Sequence, residues 1–394
     1  MAAHSRLPDD PAGRPEGTPN GEPLENYANN FSPPRPRRAR YARRGLLWDL
    51  SSLERLRKCG RVSVMPGGSV AVRLRGDVAG FAGLATCGSV WADPVCNAKV
   101  MARRAVEIGA AVALWQAAGH SVAFATFTMR HHKGQSLAAL WDALSSAWNR
   151  VTGGSQWVKD LVRFDVAGFL RMVEVTHGRN GWHVHVHALL FLEGSPSPEA
   201  VAQLHERMVG RWARRLVALG LARPFSIGQE CHLLQDAADE HLAAYFTKTT
   251  DSAHRIGLEV TQTQSKTARD RNKTRPTWAL LDDVEALGLA TSLDLWHEWE
   301  RGSKNRKQMT WSKGLRDRLG LLREASDEDI ATEEHGSAED DLVLIDSEGW
   351  ARLRANPADL ADLLTVTEGG GLTALRSFLN RRQITYTVRG DLEA

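Results

Sequence analysis

The amino-acid sequence predicts an α+β fold with an antiparallel sheet. Residues 182–191 alternate histidine and valine before an apolar run, which is typical of a strand whose two faces differ. Residues 169–176 also have strand composition, and a turn-forming segment joins the two strands as a hairpin. Two strand and two helical segments flank the hairpin: residues 121–130, 136–148, 197–219 and 227–234. Their order is β-α-β-β-α-β, the split pattern of a ferredoxin-like sheet.

Six segments follow one another along the 394 residues. Residues 1–45 hold eight of the fifteen prolines and few apolar residues, so we predict a disordered basic arm rich in Pro and Arg. The later segments are a β-rich, cysteine-containing region with a helix, the sheet domain, a basic helical extension, an acidic linker, and a small αβ appendage of unknown role. Their boundaries are 46–119, 120–250, 251–323, 324–341 and 342–394.

Charge is distributed unevenly along the chain. The formal net charge is +3, but residues 46–323 carry 36 basic and 26 acidic side chains, whereas residues 324–394 carry 6 and 16. An excess of ten positive charges favours a polyanion partner for the middle of the chain. We therefore expect that removing residues 324–394 leaves nucleic-acid binding unchanged.

The histidine strand predicts a divalent metal site. His183, His185 and His187 share one face because successive side chains of a strand alternate. A turn centred near residues 179–180 places Glu174 opposite His185 on that face. Glu174, His185 and His187 then offer one carboxylate and two imidazoles with open positions, a set suited to Mg²⁺ or Mn²⁺. The alternative is an exposed edge strand whose histidines bind nothing.

Three of the four cysteines frame the β-rich region. Cys59 precedes its first strand, and Cys87 and Cys96 follow its last. Asp93 stands three residues before Cys96, where a zinc knuckle needs a ligand, and carboxylates bind zinc. Cys59, Cys87, Asp93 and Cys96 are thus candidate ligands of a structural Zn²⁺ ion. The alternative is a set of reduced cysteines without metal.

Residues 236–249 are predicted to form a helix that holds Tyr245 and Lys248. Tyr245 and Lys248 share a face of this helix because they are three residues apart. Of the four tyrosines, Tyr245 alone adjoins the predicted sheet; the others lie in the predicted arm or near the C-terminus. A helical tyrosine ordinarily fills a core, but this one lies next to the predicted metal site.

Basic residues after this helix are candidates for DNA contact. Lysine and arginine neutralise phosphates, and a tryptophan can stack on a base. The candidates are Arg269, Arg271, Lys273, Arg275, Lys304, Arg306, Lys307 and Trp311.

Three motifs occur in order within residues 55–320. The first is apolar-Thr-apolar-Thr followed by a basic residue, over 124–130; the second joins Glu174 to His185-Val-His187; the third begins at Tyr245. Together they resemble the replication initiators of rolling-circle plasmids in Gram-positive bacteria, within the HUH endonuclease superfamily. The cysteine region is similar to the stretch that precedes the first motif in many members.

This resemblance implies a metal-dependent endonuclease and strand transferase that nicks one strand of plasmid origin DNA, single-stranded or cruciform at the nick. Tyr245 would attack phosphorus, with Lys248 lowering its pKa or holding the phosphate. The products would be a 5′-phosphotyrosyl link and a free 3′-hydroxyl primer, used by a host helicase and DNA polymerase.

The chain departs from the family pattern at two places. Members usually carry Cys-Pro-x-Cys, whereas Asp93 replaces the first of that cysteine pair here. Members with one tyrosine commonly carry an acid one helical turn before it, whereas His241 stands there with Glu240 beside it. Glu240 and His241 are therefore the candidate acid or base for the terminating cleavage.

Other classes of protein are compatible with parts of the pattern. They are an HUH relaxase or transposase, a non-catalytic DNA-binding regulator, and a metallohydrolase with His232 and His241 as weak further ligands. No apolar run is long enough to cross a bilayer, and the N-terminus lacks an apolar signal core. We expect a cytoplasmic protein with no membrane partner.

Overall fold

A computed structural model of the chain describes residues 34–249, 274–333 and 336–389. Its strands are β1 Val70–Arg75, β2 Val78–Ala82, β3 Ser121–Phe127, β4 Val166–Gly178, β5 Gly181–Leu192, β6 Cys231–Leu233, β7 Thr274–Pro276, β8 Met309–Trp311, β9 Asp341–Ile345 and β10 Tyr386–Val388. Its α-helices are α1 Pro34–Leu50, α2 Glu54–Lys58, α3 Pro94–Ala117, α4 Leu137–Val151, α5 Gly154–Arg163, α6 Pro198–Ala218, α7 Glu240–Thr249, α8 Ala279–Leu287, α9 Ala290–Ser303, α10 Leu315–Arg318, α11 Asp327–Thr332, α12 Ser347–Leu353 and α13 Pro357–Arg381. Helices combined with antiparallel sheets confirm the predicted α+β class.

The larger sheet has six strands in the order β6-β3-β5-β4-β7, and β8 pairs with β4 as well. Strands β4 and β5 form a hairpin in which Gly178 lies opposite Gly181. Gly181, which follows the turn residues 179–180, has a φ of +84°, a conformation that favours glycine. The register that follows pairs Glu174 with His185 and confirms the pairing predicted from the turn. Strands β7 and β8 belong to the predicted basic extension, so that segment completes the sheet.

One face of this sheet lies against α4 and α6. The face is apolar because Phe127 and the valines of β5 point to it. Phe127 packs against Trp148 of α4 at 5.5 Å and against Trp212 of α6 at 5.8 Å between ring centroids. Ser136 caps α4 and Ser197 caps α6, each accepting a hydrogen bond from a backbone N–H of the first turn.

The opposite face, which carries the histidines, is also covered. Phe191 of this face packs against Trp115 of α3 at 5.9 Å, and His187 packs against Tyr245 of α7 at 5.4 Å. The prediction of an open metal face is wrong. Its cause is that α3, which precedes the sheet in the chain, supplies apolar side chains that no local pattern assigns to this face.

The smaller sheet joins segments from both halves of the chain in the order β10-β9-β1-β2. Val70 of β1 pairs with Ile345 of β9, and both are fully buried in one core with Trp350 of α12. The prediction of separate units at 46–119 and 342–394 is therefore wrong. Pairing between strands so far apart in sequence leaves no local signal.

Helix α1 contradicts the disorder predicted for the end of the basic arm. Arg37 donates to Glu368 at 2.7 and 3.0 Å, and Arg44 donates to Asp93 at 2.8 Å. Disorder is wrong for residues 34–45, because carboxylates from distant parts of the chain neutralise these arginines. The rest of the predicted arm lies outside the described residues.

The predicted acidic linker, residues 324–341, is also structured where it is described. Arg104 of α3 pairs with Asp327 at 3.0 Å and with Glu324 at 3.5 Å, which fixes α11 against α3. The prediction is wrong because these acids neutralise arginines of the same chain. Among the described helices, none is both long and apolar enough to span a membrane.

Candidate metal centre and nucleophile

Three ligand atoms converge on the histidine face of the larger sheet. The Nε2 atoms of His185 and His187 are 3.0 Å apart, and each lies 3.1 Å from Oε2 of Glu174. Adjacent ligands of an octahedral ion with bonds of about 2.1 Å are about 3.0 Å apart. The triangle formed by Glu174, His185 and His187, here called the triad, therefore has the dimensions of one octahedral face. Three positions on the far side of such an ion would remain open.

The surroundings of the triad keep the ligands in place. The Nδ1 atom of His187 lies 3.1 Å from Oγ1 of Thr126 on β3, which turns Nε2 towards Glu174. The Nδ1 atom of His185 is buried without a hydrogen-bond partner among the described residues. All three triad side chains are buried, with 7 to 8% of each residue exposed.

Charge and burial act in opposite directions on the triad carboxylate. Burial alone would raise the pKa of Glu174, but the positive charge of His185 and hydrogen bonds from both imidazoles outweigh it and hold that pKa well below its usual value. Burial, together with His185 and His131, lowers the pKa of the neighbouring His183 to about 3. A bound cation requires an ionised carboxylate, and the lowered pKa of Glu174 favours that form.

Tyr245 lies over the triad on α7. Its ring packs edge-on against His187, and 2% of the residue is exposed. Its hydroxyl donates to the carbonyl of Val173 at 3.4 Å and also hydrogen-bonds Gln308. Burial, and then the negative charge of Glu174, raise the pKa of Tyr245 well above its usual value. A phenol in this position needs a nearby cation or base before it can act as a nucleophile.

The other predicted residues of α7 lie differently. Lys248 is in the last turn of the helix, and its side chain lies outside the described part of the structure. Glu240 and His241 are exposed in the first turn. His241 Nδ1 lies 3.1 Å from Oδ1 of Asp239, and its ring packs on His232 with centroids 3.7 Å apart. The side chains of His232, Asp239 and His241 thus form a further group of converging ligand atoms.

The predicted zinc ligands also converge. The Sγ atom of Cys96 lies 3.6 Å from that of Cys59 and 3.8 Å from that of Cys87. Sulfur ligands of a tetrahedral zinc ion with bonds of about 2.3 Å are about 3.8 Å apart. Backbone N–H groups of Cys87 and Ser89 donate to two of the sulfurs at 3.3 and 3.4 Å. Cys59, Cys87, Cys96 and Asp93 form the group called here the cysteine cluster.

Asp93 has other partners within this cluster. Its Oδ1 accepts from the backbone N–H groups of Val95 and Cys96 at 2.9 and 2.8 Å, so it caps α3. Arg44 also donates to both carboxylate oxygens. Burial raises the pKa of Asp93 although Arg44 opposes it, and hydrogen bonds from Cys59 and Cys87 lower the pKa of Cys96.

Five of the eight predicted DNA-binding residues lie in the part of the chain that the structure describes. Arg269, Arg271 and Lys273 lie outside the described residues. Arg275 on β7 makes a double ion pair with Asp283, at 3.0 and 2.6 Å.

The second predicted cluster lies around the end of α9. Lys304 and Lys307 are exposed, whereas Arg306 pairs with Asp142 at 2.6 Å. The half-buried ring of Trp311 packs against Phe191. Trp311 is thus part of the packing over the sheet.

Sequence reasoning missed several residues around these groups. Thr126 lies in the first motif, and its alternation with Phe124 could have assigned it to the histidine face. Gln308 and Arg44 come from distant segments, so no local pattern connects them to Tyr245 or Asp93. Asp239 could have been found as a helix-capping acid just before α7.

Comparison with known proteins identifies the family of the chain. The family model described as "Replication protein" matches residues 84–206, which include β3, β4 and β5. The chain belongs to the replication protein family of plasmid replication initiators. It is 30% identical to "Protein rep" of Streptomyces lividans over 343 residues, which cover 71% of this chain and 74% of that protein.

A shorter similarity extends to a protein of another name. The chain is 32% identical over 152 residues to "Neomycin resistance protein" of Streptomyces cyanogenus, covering 32% of this chain and 35% of that one. No solved structure matches the chain.

Proposed function

We propose that this replication initiator nicks one strand of its plasmid origin with Tyr245 as nucleophile and a divalent ion held by the triad. The observation that carries the proposal is the octahedral-face geometry of Glu174, His185 and His187 directly beneath the Tyr245 ring. The strand order and the helix positions support a ferredoxin-like HUH domain around them.

The triad fits Mg²⁺ or Mn²⁺ because it combines an ionised carboxylate with two imidazoles and would supply three of the six ligands of such an ion. Such an ion, when bound, polarises the scissile phosphate and stabilises the charge of the in-line displacement. Tyr245 then forms the bond to phosphorus while the bond to the 3′-oxygen breaks. The phenol proton leaves to a base or solvent, and Lys248 is proposed to hold the phosphate.

Access to the triad requires a change in α7. The triad residues are buried, and the Tyr245 ring packs on His187. We propose that single-stranded or cruciform origin DNA displaces the α7 side chains as it enters.

The terminating cleavage is assigned to Glu240 or His241. Asp239 holds the His241 imidazole, and His241 precedes Tyr245 by four residues, which places both on one face of α7. Loss of the residue responsible would leave nicking intact while the covalent complex accumulates. A host helicase and DNA polymerase would use the 3′-hydroxyl.

The cysteine cluster is proposed to hold a structural Zn²⁺ ion. Three sulfurs at tetrahedral spacing fit zinc, and Oδ2 of Asp93, which accepts from Arg44 alone among the described residues, is the proposed fourth ligand. Arg44 would offset the excess negative charge of three thiolates and a carboxylate around one zinc ion.

Supercoiled plasmid carrying the cognate origin tests the function directly. We expect a nick that depends on Mg²⁺ or Mn²⁺ and leaves protein on the 5′ end. Tyr245→Phe keeps the ring against His187 but removes the nucleophile, so covalent complex should disappear. Tyr386→Phe is the matched control and should nick normally. It removes a hydroxyl on β10 of the smaller sheet that donates a hydrogen bond to Asn380. Covalent complex formed by Tyr245→Phe would refute the assignment, and origin binding without any nick would identify a regulator.

A further inference from the structure

Among the described residues, a third group of metal-ligand side chains lies where β6 meets the start of α7. His232 comes from β6, Asp239 directly precedes α7, and His241 lies in the first turn of that helix. One ligand atom from each residue lies within 4.8 Å of those from the other two. We call these three residues the second histidine group. They share no member with the triad or the cysteine cluster.

The sheet register places the second histidine group on the histidine face. His232 lies opposite Phe124 on β3, and paired residues of neighbouring strands project from the same face. The Phe124 ring packs against His187 at 5.1 Å and against His232 at 5.5 Å between centroids. Because β3 lies between β5 and β6, this apolar ring separates the second histidine group from the triad.

The backbone around Asp239 holds its carboxylate in place. Oδ1 accepts a hydrogen bond from the His241 N–H at 3.0 Å, and Oδ2 accepts from the Gln235 N–H at 3.2 Å. The same Oδ1 lies 3.1 Å from Nδ1 of His241. Nitrogen and oxygen ligands of a tetrahedral zinc ion, with bonds of about 2.0–2.1 Å, are about 3.3 Å apart. Asp239 and His241 therefore have the spacing of two ligands of one ion.

His232 adds an independent observation that indicates a ligand. Its Nε2 atom is buried and has no hydrogen-bond partner among the described residues. Buried polar atoms are nearly always hydrogen-bonded, and a bound ion is one of the usual reasons for an exception. The His232 ring also lies against that of His241, with centroids 3.7 Å apart. The two imidazoles, which come from different elements, are thus already together.

The charge around the group favours a cation. Glu230, Asp239 and Glu240 all act electrostatically on His232. Glu230 directly precedes β6, and Glu240 is the first residue of α7. Negative charge at this place attracts a cation and disfavours a phosphate. The ligand types and the charge therefore agree with each other.

We propose that the second histidine group binds a divalent transition-metal ion, with Zn²⁺ as the best fit. Two imidazoles and one carboxylate are a ligand set that zinc accepts with a fourth position open to water, and imidazole suits this class of ion. The ion connects β6 to the first turn of α7, the helix that carries Tyr245. It also occupies the His241 imidazole, which leaves Glu240 for the terminating cleavage. The site stands on its own geometry, whereas its effect on access to Tyr245 rests on the proposed function.

Zinc binding by full-length variants tests the site. In Glu174→Gln, which lacks a triad ligand, equilibrium dialysis against Zn²⁺ counts the ions bound at the other sites. Adding His232→Ala should lower this count by one ion per chain, because the cysteine cluster is the same in both proteins. Adding His132→Ala, which removes an exposed histidine outside the group, is the matched control and should leave the count unchanged.

A conservative variant separates metal binding from folding. Asp239→Asn keeps a side-chain oxygen that can cap α7 but removes the negative charge. It should weaken Zn²⁺ binding at this group more than about 10-fold, since even the partners of metal ligands contribute that much. The melting temperature without added Zn²⁺ should stay the same. Full zinc affinity in Asp239→Asn would remove Asp239 from the site and overturn the proposed ligand set.

Hydrogen exchange tests the connection to α7. Zn²⁺ at ten times its dissociation constant should slow amide exchange in α7 of the Glu174→Gln protein about 10-fold, because the ion binds only the docked helix. The added His232→Ala substitution should abolish this effect.

Two further results would overturn the proposal. One is an equal zinc count for the His232→Ala and His132→Ala proteins, which would mean that no ion binds at His232. The other is unchanged exchange in α7 when Zn²⁺ is bound, which would mean that the ion does not connect the helix to β6. Neither result bears on the nucleophile, because covalent complex formation by Tyr245 is measured with Mg²⁺ or Mn²⁺ and no added zinc.

Discussion

The triad and the cysteine cluster are both sets of converging metal ligands, but the chain builds them in different ways. The triad comes from two strands joined by one tight turn, so a single register brings its members together. The cysteine cluster comes from a loop after α2, the end of the β-rich region and the start of α3, and an arginine from α1 holds its carboxylate. The first set therefore depends on local pairing, and the second on packing of the whole N-terminal half. We expect loss of the triad to remove activity, and loss of the cysteine cluster to remove stability.

The largest expected effect is on nicking by triad variants. His187→Ala or Glu174→Gln should lower the nicking rate by more than about 1,000-fold, because each removes a ligand of an ion that supplies several kcal/mol. Mn²⁺ should raise the melting temperature of the parent protein and not that of the variants. His183→Ala is the matched control, since His183 shares the face and lies outside the triad. Full nicking by His187→Ala at saturating Mn²⁺ would contradict the metal assignment.

A truncated protein tests whether the triad and the cysteine cluster fold independently of each other. Deleting residues 336–394 removes β9 and β10 and the buried Ile345, Trp350 and Leu364, so the smaller sheet should lose more than about 5 kcal/mol and unfold. Hydrogen exchange should then show loss of protection in β1 but not in β4 and β5. Deleting residues 390–394, which follow β10, is the control. A truncated chain with a protected β1 would show that the tail is dispensable, as the charge distribution alone predicts.

Cysteine variants measure directly what the cysteine cluster contributes to stability. Cys96→Ser should remove bound zinc and lower the free energy of unfolding by about 3 kcal/mol, since structural zinc contributes directly to folding. The nicking rate per folded molecule should stay within about 3-fold of the parent. Cys231→Ser, on β6 and outside the cluster, is the control. Zinc content by mass spectrometry decides the outcome: a zinc-free parent protein would mean that Arg44 and Asp93 alone organise the cluster.

The smallest expected effects concern DNA affinity. Lys304→Ala with Lys307→Ala should reduce the slope of log affinity against log salt by about one for each phosphate that the protein no longer neutralises. Arg275→Ala should change that slope less, because Asp283 already neutralises the guanidinium. Filter binding between about 50 and 200 mM salt measures both slopes. Equal slopes for all variants and the parent protein would mean that the DNA-binding surface lies elsewhere.

The accuracy of the sequence-based predictions also differs between local pairing and the packing of remote segments. The pairing of Glu174 with His185 was predictable because a two-residue turn and a period of two determine it. The cover that α3 places over the histidine face was not predictable, since Trp115 reaches it from a helix that precedes the sheet in the chain. Likewise α1 has the composition of a disordered arm, and Glu368, Asp93 and the other carboxylates that stabilise it are far away in sequence. Interactions within a hairpin leave a local pattern, whereas those between remote segments do not.

The pairing of β1 with β9 has a consequence for the time at which the protein becomes complete during its synthesis. The hairpin of β4 and β5 can form soon after it leaves the ribosome, because its strands are consecutive. Strand β1 is made early but waits for β9, which at about 5–20 residues per second takes on the order of tens of seconds. A ribosome that stops before Asp341 would release a chain with its triad in place and its smaller sheet unfinished. Complete folding is thus coupled to complete translation.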